Sequence, residues 1–74
     1  MTRLAVPTRK SLRIDDVDSS TTYIGEASFG SSEASAVWRI YKLALSGTVT
    51  SITWADGNDE FDNVWNDRLS LSYS

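Results

Sequence analysis

The chain has no cysteine and no histidine. Disulfide staples are therefore excluded, and so are the thiolate and imidazole donors from which zinc sites are usually built. General acid-base or nucleophilic chemistry would fall to carboxylates, Lys10 or Lys42 alone, and nearly all the carboxylates sit in turn-like contexts that solvation explains. No apolar run approaches the ~18 residues that cross a bilayer, and the amino terminus lacks the apolar core of a signal peptide. Basic residues are outnumbered, 7 against 10 acidic for a net charge of −3, and they are scattered along the chain. A nucleic-acid binder needs a basic patch for phosphates, and none is written here. The expectations are no catalytic residue, no metal, no cofactor, no nucleic acid and no membrane, in a protein made in the cytosol and kept there or assembled into a particle.

At 74 residues a chain buries only about 60% of its unfolded surface, which supports one small core. Stability must come from packing or from oligomerisation. Three Trp, three Tyr and two Phe are a large aromatic load for that length. Such side chains fill cores and also anchor interfaces, and composition leaves both uses open.

The stretch from Val37 to Trp54, VWRIYKLALSGTVTSITW, places two apolar runs around a Ser46-Gly47 turn signal and predicts a β-hairpin on which the rest packs. Val37, Trp38, Tyr41, Ala44 and Leu45 also recur at helical spacing, with Ser32 or Ser35 as N-cap and Gly47 as stop. The β-branched run Thr48 to Trp54 favours strands, and a strand there needs its partner before the turn. With Ser46 and Gly47 alone in the loop, Arg39 faces Trp54 and Tyr41 faces Ile52; with Thr48 included, Ile40 faces Trp54. Either register leaves large apolar side chains on both faces, so something is expected to cover both.

Residues 1–10, with Arg3, Arg9 and Lys10 around Leu4-Ala5-Val6-Pro7, read as an amino-terminal arm, frayed or ordered on a neighbouring subunit. Residues 11–74 read as a single small β domain. Within it Ser11 to Val17 alternates Leu12 and Ile14 with Arg13 and Asp15, a strand that ends in a turn of Asp15, Asp16, Asp18, Ser19 and Ser20. Thr21 to Ile24 forms a second strand, with Gly25 kinking it or admitting another backbone. Glu26 to Ser35 has the composition of an exposed loop, long enough to be a contact segment with Phe29 as anchor, unless Phe29 tucks back onto the hairpin. Ala55 to Glu60 is a turn built on Asp56-Gly57. Asp56, Asn58, Glu60 and Asp62 alternate like half a calcium loop, but Gly57 stands second and Asp67 twelfth, so no metal site is assigned. Phe61, Val64 and Trp65 are spaced for one helical turn under the sheet. Arg68 to Ser74 alternates as a strand with Leu69, Leu71 and Tyr73 inward. The fold class is all-β: a small antiparallel sandwich or partly open barrel on a central hairpin.

The segments Tyr23-Ile24-Gly25-Glu26-Ala27, Val37-Trp38-Arg39-Ile40, Trp54-Ala55-Asp56-Gly57-Asn58, Phe61-Asp62-Asn63-Val64-Trp65 and Arg68-Leu69-Ser70-Leu71-Ser72-Tyr73 together resemble a recurrent short open reading frame of tailed bacteriophages. The resemblance covers Tyr23 to Ser74, and its most distinctive parts are Ala-Asp-Gly-Asn and Phe-Asp-Asn-Val-Trp. It implies a phage origin and a virion structural role, and it carries over no catalytic residue. The expected function is a non-enzymatic structural component of a phage particle, in head, neck, tail or fibre, partnered by copies of itself and by larger virion proteins. The alternative is a receptor- or glycan-binding module at a fibre or tail tip, with Trp38, Trp54 or Trp65 as a platform beside the carboxylates from Asp56 to Asp62.

Overall fold

The computed structural model describes residues 10–74. The arm expected over residues 1–10 lies, but for Lys10, outside the described residues. Four strands form an antiparallel meander in sequence order: β1 (Lys10–Asp18), β2 (Thr21–Ser28), β3 (Ala36–Ser46) and β4 (Val49–Trp54). A two-residue strand, β5 (Asn63–Val64), pairs with the start of β3, and a 3-10 helix follows over Trp65–Ser70. The protein is all-β, its sheet open and not closed into a barrel; the expected hairpin forms as β3–β4, with β3 inside the sheet and β4 at its edge.

Local chemistry sets each reversal. Between β1 and β2 the Ser20 amide donates to Asp18 Oδ1 at 2.8 Å, an Asx turn of the kind Asp-Ser sequences favour. A bulge at Val17 precedes it. Between β3 and β4 the loop is Gly47-Thr48, because Ser46 still pairs with Val49. Gly47 has φ +63 and Thr48 does not share that sign, the pattern of a type II′ turn, whose twist suits a hairpin. Both registers expected from sequence are therefore replaced by a third, in which Tyr41 faces Trp54 and Leu43 faces Ile52. The helical alternative for residues 37–46 does not form.

β2 runs on through Glu26 to Ser28, which shortens the expected loop to residues 29–35. That loop is tied to the body, since Trp38 Nε1 donates to the Ser32 carbonyl at 2.9 Å and the Asn66 amide to the Glu33 carbonyl at 3.2 Å. Phe29 stays outside, 77% exposed.

The carboxy-terminal stretch departs from its strand pattern. The short helix begins at Trp65, where the expected helical turn ends, and only Leu71 and Tyr73 of the expected inward set reach the core. Leu69 is exposed. A 3-10 helix brings residues three apart to one side, and this sets the Arg68 guanidinium 4.5 Å from the Trp65 ring centroid. Beyond the helix the chain pairs with the end of β4: Ser74 and Trp54 exchange amide-to-carbonyl bonds, and the Asp56 amide donates to the Ser72 carbonyl at 2.7 Å.

One sheet face is covered by this carboxy-terminal layer. Ala27, Trp38, Ile40, Ala55 and Trp65 make the core, with Tyr23, Leu71 and Tyr73 packed against it. The second face, which two-sided hydrophobicity predicts to be covered, has no layer over it among the described residues.

Candidate functional site

Strand β1 decides the character of the open face. Its alternation is as expected, and its polar side faces inward: Ser11, Arg13 and Asp15 lie on the side of the core, while Leu12 and Ile14 are 45% and 69% exposed. Arg13 and Asp15 have ion-pair partners on that side. Arg13 Nε donates to Glu33 Oε2 at 2.6 Å with its guanidinium over the Trp38 ring, and Arg68 Nε donates to Asp15 Oδ2 at 2.8 Å. Because successive side chains alternate across a strand, satisfying those ion pairs commits Leu12 and Ile14 to the opposite side.

Register then assembles the open face in rows. Ile14, Ile24, Tyr41 and Trp54 are directly paired across all four strands, and Asp16, Thr22, Leu43 and Ile52 form the next row. Ile52 is 55% exposed and Leu45 45%. Tyr41 and Trp54 stack with ring centroids 4.6 Å apart. The Tyr41 hydroxyl is pushed up from its ordinary pKa by burial first and by the nearby Glu26 carboxylate second.

One end of the face carries charge, neutralised internally. Glu26 pairs with Arg39 across β2 and β3 and forms an ion pair with it. The Arg39 guanidinium lies 4.7 Å from the Phe61 ring centroid and 5.7 Å from that of Trp54. The Arg39–Trp54 contact expected from sequence is thus present, as a diagonal neighbour instead of a directly facing one. Phe61, expected beneath the sheet, sits on this side instead, with Lys10 Nζ 5.0 Å from its ring centroid.

The residues proposed as a sugar platform are separated by the fold. Trp38 and Trp65 are buried and pack on each other at 6.0 Å between ring centroids, and Trp54 alone remains half-buried at the surface. In the loop from Asp56 to Asp62, Asn58 Oδ1 accepts from the Glu60 amide and Asn58 Nδ2 contacts the Asp56 carbonyl, which is turn chemistry. Among the described residues no group of three or more carboxylates is placed to hold a metal ion, no enclosed pocket is formed, and no helix is long and apolar enough to cross a membrane.

On the covered side, burial drives the Tyr73 hydroxyl up to about 12, with Tyr23 contributing next. This phenol donates to the Arg68 carbonyl at 2.8 Å, and its ring packs on Tyr23 at 5.5 Å. It belongs to the joint between sheet and covering layer and faces away from the open side.

What the open face can do chemically is bind another apolar surface. Sequence patterning showed that both sides of the hairpin are apolar. It missed that β1 extends the uncovered side, and the signal was the placement of Arg13 and Asp15 at positions whose ion-pair partners, Glu33 and Arg68, lie on the covered side. No protein-family model matches the chain, and no curated protein or solved structure is found to be similar to it.

Proposed function

We propose that the protein is a non-enzymatic structural component of a tailed bacteriophage particle, an assembly module that docks through its open sheet face onto other protein. One observation carries the docking role: a contiguous apolar face spans all four strands and is left uncovered among the described residues. Monomeric soluble proteins rarely keep a large contiguous apolar patch exposed, and such patches mark sites of association. The particle context comes from the resemblance of Tyr23 to Ser74 to a phage reading frame. Repeated small subunits close such surfaces by symmetry or by seating on a larger neighbour.

The alternative, a glycan-binding tip module, is the weaker reading because two of its three indoles are inside the core. Quantitative mass spectrometry of gradient-purified particles from a phage carrying this chain tests the proposal. The expected result is the chain in fixed ratio to the major virion proteins. Its absence from purified particles, with abundant free protein in the lysate, overturns the role.

A further inference from the structure

Strand β1 begins at a corner of the sheet where one side is occupied and the other is not. On the covered side the loop 29–35 lies against it: the Gly30 amide donates to Ser11 Oγ at 3.0 Å, and Glu33 pairs with Arg13. Arg68 takes Asp15 next along the strand. On the open side Leu12 and Ile14 are without cover among the described residues. Chain arriving at Lys10 therefore meets uncovered apolar surface on the open side.

The arriving chain is residues 1–9, MTRLAVPTR, which lie outside the described residues. Three features of this segment match it to the open face. Leu4, Ala5 and Val6 are an apolar run of matching character, and Pro7, with its fixed φ, suits a reversal of direction shortly before Lys10. Its reach is sufficient: nine extended residues span about 30 Å, whereas Lys10 to Asp16 along β1 is about 20 Å, so about three residues remain for a turn that climbs ~10 Å to a second layer. Its charge is of the right sign. All 10 acidic residues but only 5 of the 7 basic ones lie within residues 10–74, a side-chain balance of −5, and the other two basic residues are Arg3 and Arg9.

We propose that residues 1–9 fold back over the open face of their own chain as a strap, laying Leu4 to Val6 across Leu12, Ile14 and Ile24. Arg3, next to Leu4, then falls near Asp16, which accepts from the Thr22 hydroxyl at 2.8 Å and has no ion-pair partner among the described residues. A tethered segment meets its own face at an effective concentration of roughly millimolar, so in dilute solution it outcompetes the arm of another copy. This goes beyond the docking role: the strap shields the β1–β2 half of the face in the free chain and leaves it when the face docks. One extended segment covers a band about 10 Å wide, and strands are ~4.8 Å apart. Ile52, on β4 at the opposite edge of the sheet, therefore stays outside the strap.

Hydroxyl-radical footprinting of the full chain tests this, at a dilution where sedimentation equilibrium gives the 8.2 kDa monomer. Ile14 and Ile52 have the same side chain, and within residues 10–74 Ile14 is the more exposed, 69% against 55%. The strap inverts that order, so the ratio of the Ile14 to the Ile52 oxidation rate falls below one. Leu4→Asp combined with Val6→Asp, outside the β domain, returns the ratio above one, and circular dichroism melting shows that this variant is folded. A ratio above one in the wild type overturns the strap, and so does an arm paired along the edge of β1, which leaves Ile14 exposed. A ratio below one that the double variant leaves unchanged overturns it as well. Ile14 and Ile52 slowed together, and only as concentration rises, assigns the cover to a second copy and overturns the strap. These outcomes are separate from the particle analysis: an unstrapped chain found in purified particles keeps the docking role, whereas a strapped chain absent from particles overturns the virion role alone.

Discussion

Gly25 on β2 lies directly against the indole of Trp65: a Cβ placed at Gly25 would stand 2.5 Å from Trp65 Cε3 and 2.8 Å from Cζ3, with Trp38 Cε3 at 3.2 Å. The glycine is required by this close approach, since its backbone is an ordinary strand paired with Ile40. It gives the covering layer a flat seat. Gly25→Ala is expected to force the indole outward and to cost about 2–3 kcal/mol, the range of overpacked cores. Urea unfolding followed by tryptophan fluorescence reads this as a lowered midpoint. An unchanged midpoint would mean that the layer sits elsewhere.

Arg68 joins three parts of that layer. Its Nε donates to Asp15 on β1, its guanidinium covers the Trp65 ring, and its carbonyl accepts the Tyr73 hydroxyl. Arg68→Ala keeps the carbonyl and removes the other two contacts. The pair with Asp15 is partly exposed, so the expected loss is modest, about 1–2 kcal/mol, with packing over the ring supplying much of it. Arg68→Lys should recover only part, because a lysine lacks the planar stacking surface. Equal stability of Ala and Lys variants to wild type would contradict the arrangement.

Tyr73 makes stability fall at high pH. Burial pushes its pKa up to about 12 in the folded chain from the ordinary 10.0 of a tyrosine, so the folded state holds a proton that the unfolded state releases between those values. Stability from this group is full below pH 10 and is lost as pH rises toward 12. Tyr41 shifts in the same direction and adds to the trend. Tyr73→Phe removes the larger part of the pH dependence while costing about 1 kcal/mol near neutrality for the lost hydrogen bond. Urea midpoints taken across this alkaline range check both, and a midpoint that rises with pH would reverse the assignment.

The β3–β4 turn tests the hairpin directly. Nothing lies within 4 Å of a Cβ at Gly47, yet its φ is +63, so a substitution meets backbone strain and no steric clash. Gly47→Val should cost about 1–2 kcal/mol, the left-handed penalty for a residue with a Cβ. Val49→Ala, at an exposed strand position next to the turn, serves as the small-effect control, and thermal melting of both variants checks the ordering.

Much of this fold is legible in the residues. Alternation in β1, the turn at Ser19-Ser20 and the hairpin around Gly47 all follow from period-two patterning and turn chemistry. The register was not, because Ser46, Gly47 and Thr48 are all acceptable loop residues and only the positive φ at Gly47 in the first central position selects a loop of Gly47-Thr48. The carboxy terminus was misread for a similar reason. Leu69-Ser70-Leu71-Ser72-Tyr73 alternates like a strand, but Trp65 fits only the slot over Gly25, and the chain must coil to deliver Arg68 to the same side before it can extend. The open face was half visible. The two-sided hairpin announced it, while the outward turn of Leu12 and Ile14 depends on ion pairs to Glu33 and Arg68, 20 and 53 positions away, which no local pattern encodes.

The central claim is that protein covers the open face when the molecule is at work. Hydroxyl-radical footprinting with mass spectrometry measures this residue by residue, and Phe29 and Leu69, 77% and 66% exposed and outside the four-strand rows of that face, provide internal standards. In purified particles Ile14 and Ile52 should be oxidised far more slowly than those two. Oxidation of Ile14 and Ile52 within particles in proportion to their 69% and 55% exposure in the single chain would contradict it.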